Sequence, residues 1–229
     1  MGKYNKIDVL NSGFVRLVDS MGGDERIVQA ARVSYGDGTK TKREDRALIK
    51  YLYDNKHTSP FEHVQFTFHV KAPIFIARQW MRHRTASINE ISGRYSILQD
   101  EFYIPNFEDI CVQSKDNKQG RGESVNPLLA KEVQEYIKIS QECSYKTYQS
   151  LLENGVSREI ARMVLPLNIY TQWYWSIDLH NLMHFLRLRL HSHAQLEIRN
   201  YAKAIVSLIE PVVPVVMEIF KNDIGGVDD

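Results

Sequence analysis

From Val64 to Lys71 the chain alternates: Val64, Phe66, Phe68 and Val70 are separated by Gln65, Thr67 and His69, and Lys71 closes the run. A period of two sends successive side chains to opposite faces, so this segment is expected to be a half-buried strand. A second strand is expected at Phe14–Val18, where Phe14 and Val18 share a face interrupted by Arg16. Helical spacing dominates the rest of the first third. Asp24 is expected to cap a helix running to about Ser34, with Ile27, Ala30, Ala31 and Tyr35 on its inner side. Glu44 to Asn55 forms another, carrying Ala47, Leu48, Tyr51 and Leu52. Pro73 suits the first position of a third, to about Arg82, with a buried stripe of Ile74, Ala77 and Met81.

The apolar pattern then disappears, and His83 to Arg94 is expected to be a loop rich in Ser, Asn and Gly. Gln113 to Asn126 is polar and glycine-bearing, which predicts a surface excursion. Asn126-Pro127 opens a long helix that stops near Asn154-Gly155. Ser157 to Val164 is a short helix halted by Pro166, and Asn168 to Ile177 is aromatic and β-branched, hence a strand. Leu179 to Leu190 and Ala194 to Phe220 are helical, the latter broken at Pro211 and Pro214. No repeat or linker divides the chain. One domain over residues 1–229 is expected, of α/β class in the mixed, α+β sense, without βαβ repeats.

Composition narrows the function. The chain has 229 residues and a net charge of +1, so it lacks the basic excess of a dedicated nucleic-acid binder. Its two cysteines, Cys111 and Cys143, form no framework and no C-x-x-C pair, which fits a reducing compartment. Met1 to Leu10 lacks the apolar core of a signal peptide, and no apolar run is long enough to span a membrane. A cytoplasmic protein is expected, with neither membrane nor nucleic acid as partner.

Chemistry concentrates between Arg78 and Arg94. Arg78, Arg82, Arg84, His83 and Arg94 are interleaved with Gln79, Ser87, Asn89, Glu90 and Ser92. Arg78 and Arg82 are one helical turn apart, and Gln79 lies three before Arg82, so these donors share a face. Guanidinium groups, hydroxyls and an amide suit a phosphate joined to a base with amide edges. The plainer reading is that the arginines complement the helix end and pair with acids. Glu90 is the only acid in the stretch, so local pairing cannot satisfy it. An anion from elsewhere is expected.

The helix Leu179–Leu190 carries an apolar stripe of Leu179, Leu182, Met183, Leu186 and Leu190. His180, His184, Arg187 and His191 gather on one side, and Arg189 lies across the stripe near Phe185. Phe185 and Leu188 make other faces apolar, so the helix is expected to be largely buried. Arg189 then needs a carboxylate, a phosphate or an acidic ligand group; Glu197 or Glu159 could supply an internal partner. His191 and His193 share a face only on a strand, and nothing completes a metal site, so none is expected. No G-x-G-x-x-G follows a strand, and neither cysteine has a basic neighbour that would activate it.

Arg82-His83-Arg84, then seven residues, then Ser92 match the R-H-R-x7-S signature of flavin-dependent thymidylate synthases. SPFEH at 59–63, ARMVLPLN at 161–168 and LRLRLHSHAQLEIR at 186–199 follow the same family in the same order. The chain therefore resembles that family over nearly its whole length, apart from 113–126 and the C-terminal tail. The resemblance implies a helix-flanked domain with an antiparallel-rich sheet and one long helix. It also implies a homotetramer with shared sites, and methylation of dUMP to dTMP. Methylenetetrahydrofolate would be the carbon donor, and FAD reduced by NADPH the hydride source. It assigns dUMP contacts to Gln79, Trp80, Met81, Arg82, Glu90, Ile91, Ser92, Gly93, Arg94 and Arg162. Arg189 would face the uracil ring as the catalytic cation. FAD contacts carry over to Ser59, Arg82, His83, Arg84, Glu90, Asp178, Leu179, His180 and His184. Ser59 stands where threonine is common, and Asp178 where asparagine is expected, exchanging a donor for an acceptor.

The absence of an activated cysteine agrees with a route that stabilises negative charge on the pyrimidine by a fixed cation. A rival reading makes the Arg-rich loop a nucleic-acid surface with Trp80 and Tyr95 as stacking platforms. Others are a flavoprotein or nucleotide-binding regulator without catalysis, and a metal-dependent hydrolase.

Overall fold

A computed structural model describes residues 6–33 and 42–225, with Lys42 and Arg43 described by backbone alone. Ser34 and Tyr35, expected at the end of the first helix, lie outside the described residues. The N-terminal strands β1 (Lys6–Val9) and β2 (Gly13–Met21) form a hairpin. Helices α1 (Asp24–Arg32), α2 (Lys42–Asp54) and α3 (Ser59–Glu62) lead into β3 (Gln65–Pro73) and α4 (Ile74–Trp80). After β4 (Ser87–Glu90) come a small hairpin of β5 (Cys111–Gln113) and β6 (Arg121–Ser124), the long α5 (Pro127–Glu153) and α6 (Arg158–Ala161). Strand β7 (Tyr170–Asp178) precedes α7 (Leu179–Arg189), α8 (Leu196–Ile209) and α9 (Pro214–Asp223).

Five strands form one antiparallel sheet in the order β1-β2-β3-β7-β4. The alternation read in β3 is its burial: Phe66, Phe68 and Val70 are fully buried and face the helices. In β2 the buried face carries Gly13 and Val15, and Phe14 lies on the other face against His69. Gly13 is required there, because a Cβ would fall 2.0 Å from the Tyr201 hydroxyl.

Over the inner face Trp80 packs against Trp173, Trp175, Phe185 and Tyr201, with ring centroids 4.8–5.9 Å apart. This aromatic core ties α4, α7 and α8 to the sheet. A second cluster, of Phe102, Tyr145, Tyr148, Ala161 and Ile169, holds α5 and α6.

Several helical stripes are rotated from their expected positions. Helix α2 buries Ile49, Leu52 and Tyr53 while Tyr51 is exposed, and α4 buries Ile76, Ala77 and Trp80. Pro73 ends β3 and stands at the N-cap of α4 rather than inside it. Asp24 does not cap its own helix either: Gly23 holds that position. The Asp24 carboxylate accepts from the backbone N–H groups of Val215 (2.8 Å) and Val216 (3.2 Å), and so caps α9. The long helix begins and ends as its sequence indicates. The Asn126 side chain accepts from Leu129 N, Pro127 follows, and Gly155 leaves with φ of +79°. Among the described residues no helix is long and apolar enough to cross a membrane.

Candidate functional site

The C-terminal ends of α4 and α7 meet the start of α8, and there Arg189 finds its partners. Its Nε donates to His83 Nε2 at 3.0 Å, and its Nη2 donates to the Gln79 carbonyl at 3.1 Å. Gln79 in turn donates through Nε2 to the side-chain oxygen of Gln195. The acids named as internal partners are elsewhere: Glu197 is paired with Arg121, and Glu159 with Arg94. Helix α7 is not buried all round, since Leu188 is exposed. Arg189 is half-buried, and desolvation lowers its pKa from the ordinary value. It thus presents a partly desolvated positive charge whose protein partners are a neutral ring and a carbonyl.

His83 must be neutral for this contact, because its Nε2 accepts. Burial first, then electrostatic repulsion from Arg189 and the neighbouring His184 ring, push its pKa down to about 4. Its ring stands edge-on to Phe185 at 4.8 Å and to His184 at 5.9 Å. The Arg-His-Arg run is therefore split in role. His83 turns inward to hold Arg189, and Arg82 and Arg84 stay exposed.

A second group forms where the chain leaves β4. The expected loop contains this strand, which pairs Ser87–Glu90 with Trp173–Ser176 of β7. All four of its residues are exposed at the sheet edge, so no alternation marks it in the sequence. Ile91 N–H continues the ladder to the Gln172 carbonyl at 3.0 Å, and Glu90 accepts from the Thr171 hydroxyl at 2.5 Å. The chain then turns: Tyr95 and Ser96 N–H donate to the Ser92 carbonyl, and Arg94 N–H donates to Ser92 Oγ. Gly93 is buried at the turn, where a Cβ would lie 3.4 Å from Arg162 Cδ. Arg162 thus adjoins Ser92–Arg94 although it lies far along the chain. Beside the turn is a cavity of about 550 Å³ lined by Arg94, Tyr95, Arg158 and Glu159.

A third group surrounds a cavity of about 260 Å³ between α2, α3 and α7. His180 and His184, one turn apart, line it with His57, Thr58 and Arg187. His57 and Thr58 were not singled out from the sequence; they immediately precede the SPFEH segment, which was the available signal. Asp178 caps α7, accepting from Asn181 N–H at 2.9 Å and Asn181 Nδ2 at 2.7 Å. Leu179 is fully buried and its N–H bonds to the Val64 carbonyl. Its side chain has no route to a ligand.

The same holds for Trp80, whose indole is wholly inside the core, so of the two stacking platforms named for a nucleic-acid surface only Tyr95 is exposed. Met81 is partly buried and Ser59 is exposed at the start of α3. Among the described residues no hydrogen bond, ion pair or ring contact joins the Arg189 group to the Ser92–Arg162 group. Nor do Arg78, Arg82, Arg84, Arg162 and Arg189 pair with any carboxylate there. Five such cations with no internal acid suit anionic ligands. Arg82 and Arg84, exposed and unpaired with any acid among the described residues, suit a phosphate-bearing ligand. Cys143 is exposed on α5, and Cys111 lies on β5 with its Sγ near Glu108 O and Ser124 Oγ, so neither thiol is in these groups. Among the described residues no three His, Cys, Asp or Glu are grouped to hold a metal ion.

Known proteins share this architecture. The family model described as thymidylate synthase complementing protein matches residues 16–215. The chain is 61% identical over 215 residues to the flavin-dependent thymidylate synthase of Treponema denticola, covering 93% of this chain and 81% of that one. It is 60% identical over 216 residues to the enzyme of that name from Thermus thermophilus, covering 94% and 78%. The crystal structure of a UMP/dUMP methylase, PolB from Streptomyces cacaoi, bound with 5-Br dUMP, superposes with a TM-score of 0.87 at 36% identity, covering 97% of this chain and all of that one.

Proposed function

The chain belongs to the family of flavin-dependent thymidylate synthases, and from that membership we propose how its residues divide the work. It is a flavoprotein methyltransferase that makes dTMP from dUMP. The observation that carries the proposal is the Arg189 guanidinium, half-buried, held by neutral His83 and the Gln79 carbonyl, and unpaired with any carboxylate among the described residues.

Methylation at C5 of the uracil ring needs electron density at that carbon. Arg189 stabilises negative charge on the pyrimidine, and partial desolvation strengthens that interaction. His83 and the Gln79 backbone fix its orientation before substrate arrives, so little reorganisation is needed. Ser92, Arg94 and Arg162 bind the dUMP phosphate, Arg162 lying against Gly93 of the Ser92–Arg94 turn. Gln79, Trp80, Met81, Arg82, Glu90 and Ile91 complete the nucleotide site, Trp80 through its backbone.

FAD supplies the hydride when bound. Arg82, His83 and Arg84 with Ser59, Glu90, Asp178, Leu179, His180 and His184 hold it, and His57 and Thr58 join them by lining one cavity with His180 and His184. Leu179 acts by positioning alone. Asp178 serves as the α7 cap, which accounts for an acceptor at that position. NADPH is the reductant and methylenetetrahydrofolate the carbon donor. The protein works in the cytoplasm, one domain per chain, as a homotetramer. Unpaired cations split between two separate groups support active sites completed by a second copy.

The experiment is the visible spectrum of the purified protein, followed anaerobically. Flavin bands that bleach with NADPH and return with dTMP formation, once dUMP and methylenetetrahydrofolate are added, are expected. Bands that cycle without dTMP would reduce the protein to a non-synthetic flavoprotein. A chain that cannot bind FAD would overturn the reading.

A further inference from the structure

One cavity shares only Arg187 with the groups described above. It has a volume of about 490 Å³ and opens between the end of α7, the α7–α8 turn and the segment that follows α9. Arg187, His191, Arg199 and Lys203 line it, with Asn200 as a further donor and Leu196 on its apolar side. Leu196, Arg199, Asn200 and Lys203 follow helical spacing, so one face of α8 forms this wall.

Its charge balance separates it from three of the other cavities. The one beside Arg94 includes Glu159, the one beside Arg121 includes Asp109 and Glu197, and the one along α5 includes Glu142. Among the described residues no acid lines this one, as none lines the histidine-lined cavity. Arg187 is already satisfied by Asp223 at 2.5 Å and the Tyr53 hydroxyl at 2.8 Å. Neither Arg199 nor Lys203 makes an ion pair among the described residues, and Arg199 Nε is buried without any hydrogen-bond partner. Two cations without an internal acid on the wall of an open cavity suit an anionic ligand. His191 Nδ1 accepts from His193 N–H, which leaves its Nε2 available to a ligand.

We infer that this cavity is a phosphate site, and that Arg199 and Lys203 bind the 2′-phosphate of NADPH and so select it over NADH. The inference rests on the preceding reading of a nicotinamide dinucleotide as reductant. A phosphate monoester dianion offers acceptors enough for a guanidinium, an ammonium and the Asn200 amide together. Location favours the reductant over an unrelated nucleotide. Arg187 lines both this cavity and the histidine-lined cavity proposed for the flavin. A dinucleotide anchored here by its phosphate end has its nicotinamide end free to reach across that shared wall. Neither Arg199 nor Lys203 has been given a part in binding FAD or dUMP, so both can be altered without touching the chemistry.

The test is anaerobic stopped-flow reduction of the FAD-loaded protein by NADPH and by NADH, with native protein, Arg199→Ala and Lys203→Met. Losing a hydrogen bond to a charged group typically weakens binding about 10- to 100-fold. The half-saturating NADPH concentration should rise by that much in each variant, with the NADH value and FAD content unchanged. Adenosine 2′-phosphate should compete with NADPH in the native protein and bind each variant more weakly by the same factor in calorimetry. Lys203→Met keeps the aliphatic stem, so it remains informative if Arg199→Ala fails to fold. Equal effects on NADPH and NADH, no effect on either, or loss of FAD would overturn the inference. Adenosine 2′-phosphate binding that depends on these residues, with NADPH kinetics unmoved, would mean a free nucleotide occupies the site and would overturn the assignment to the reductant. Native flavin reduced by neither dinucleotide would count against the reductant reading itself, and calorimetry with adenosine 2′-phosphate would still decide whether a phosphate site exists.

Discussion

Replacing Arg189 with alanine removes a guanidinium whose bonds go to His83 and the Gln79 carbonyl, with no carboxylate left behind. The folded chain should therefore tolerate the change. Losing one well-placed electrostatic stabiliser costs roughly 100- to 1000-fold in rate. Arg189→Ala is expected to keep its melting temperature and bound flavin while dTMP formation falls by that factor; near-native turnover would remove Arg189 from the mechanism. His83 makes a second prediction. Its pKa is about 4 in the folded chain against an ordinary 6.5. Above pH 6.5 the ring is neutral in both states and its contribution is full. As pH falls from 6.5 towards 4, the unfolded chain takes up a proton that the folded chain refuses, so stability declines across that window. The site is only half-buried, so screening keeps the effect small. His83→Gln retains an acceptor for Arg189 but cannot titrate. Its melting temperature should fall less steeply than native between pH 6.5 and 4.5, and parallel curves would show that His83 is not the group responsible. The sequence indicated that Arg189 needed a partner but not which one, because the expected acid was replaced by a histidine more than a hundred positions away.

At the scale of elements, what the sequence disclosed depended on whether a segment's pattern came from its own burial. Strand β3 was legible because its alternation is its burial, and α5 because its cap, proline and glycine act locally. Strand β4 was not, since an edge strand with four exposed residues has no buried face to impose a period. The stripes on α2 and α4 were rotated because several apolar positions there could face inward, and tertiary packing chose among them. Asp24 illustrates a further limit. Its position before a helical pattern reads as a local cap, yet its carboxylate serves α9 at the far end of the chain. Burial raises the Asp24 pKa, with Glu25 adding to the effect, and the two N–H groups oppose it. Removing a capping acceptor costs about 1 kcal/mol, within roughly 0.5–2. For a chain of this size that lowers the melting temperature by about 2–4 °C per kcal/mol. Asp24→Ala should show such a drop and Asp24→Asn, which keeps an oxygen, most of the native value; equal losses would mean that the charge rather than the cap matters.

Across the whole molecule, the aromatic core fixes α4, α7 and α8 against the sheet, and so fixes Gln79, His83, Arg189 and Gln195 together. The second core cluster fixes the α5–α6 side, where Arg162 meets the Ser92–Arg94 turn. Each group of candidate site residues therefore belongs to a different packed region, and among the described residues no hydrogen bond, ion pair or ring contact bridges them. The family motifs made both groups legible in the sequence, but motif order along one chain carries no information about which copy supplies which residue. If one active site takes Arg189 from one copy and Arg94 from another, as a symmetric homotetramer permits, two dead variants should complement each other. Arg189→Ala and Arg94→Ala, each inactive alone, would be mixed, dissociated in mild denaturant and reassembled. Random pairing leaves about a quarter of the sites with both arginines intact, so about a quarter of native activity should return. Sites contained within a single copy would stay inactive at every mixing ratio, and that result would confine the catalytic unit to one chain.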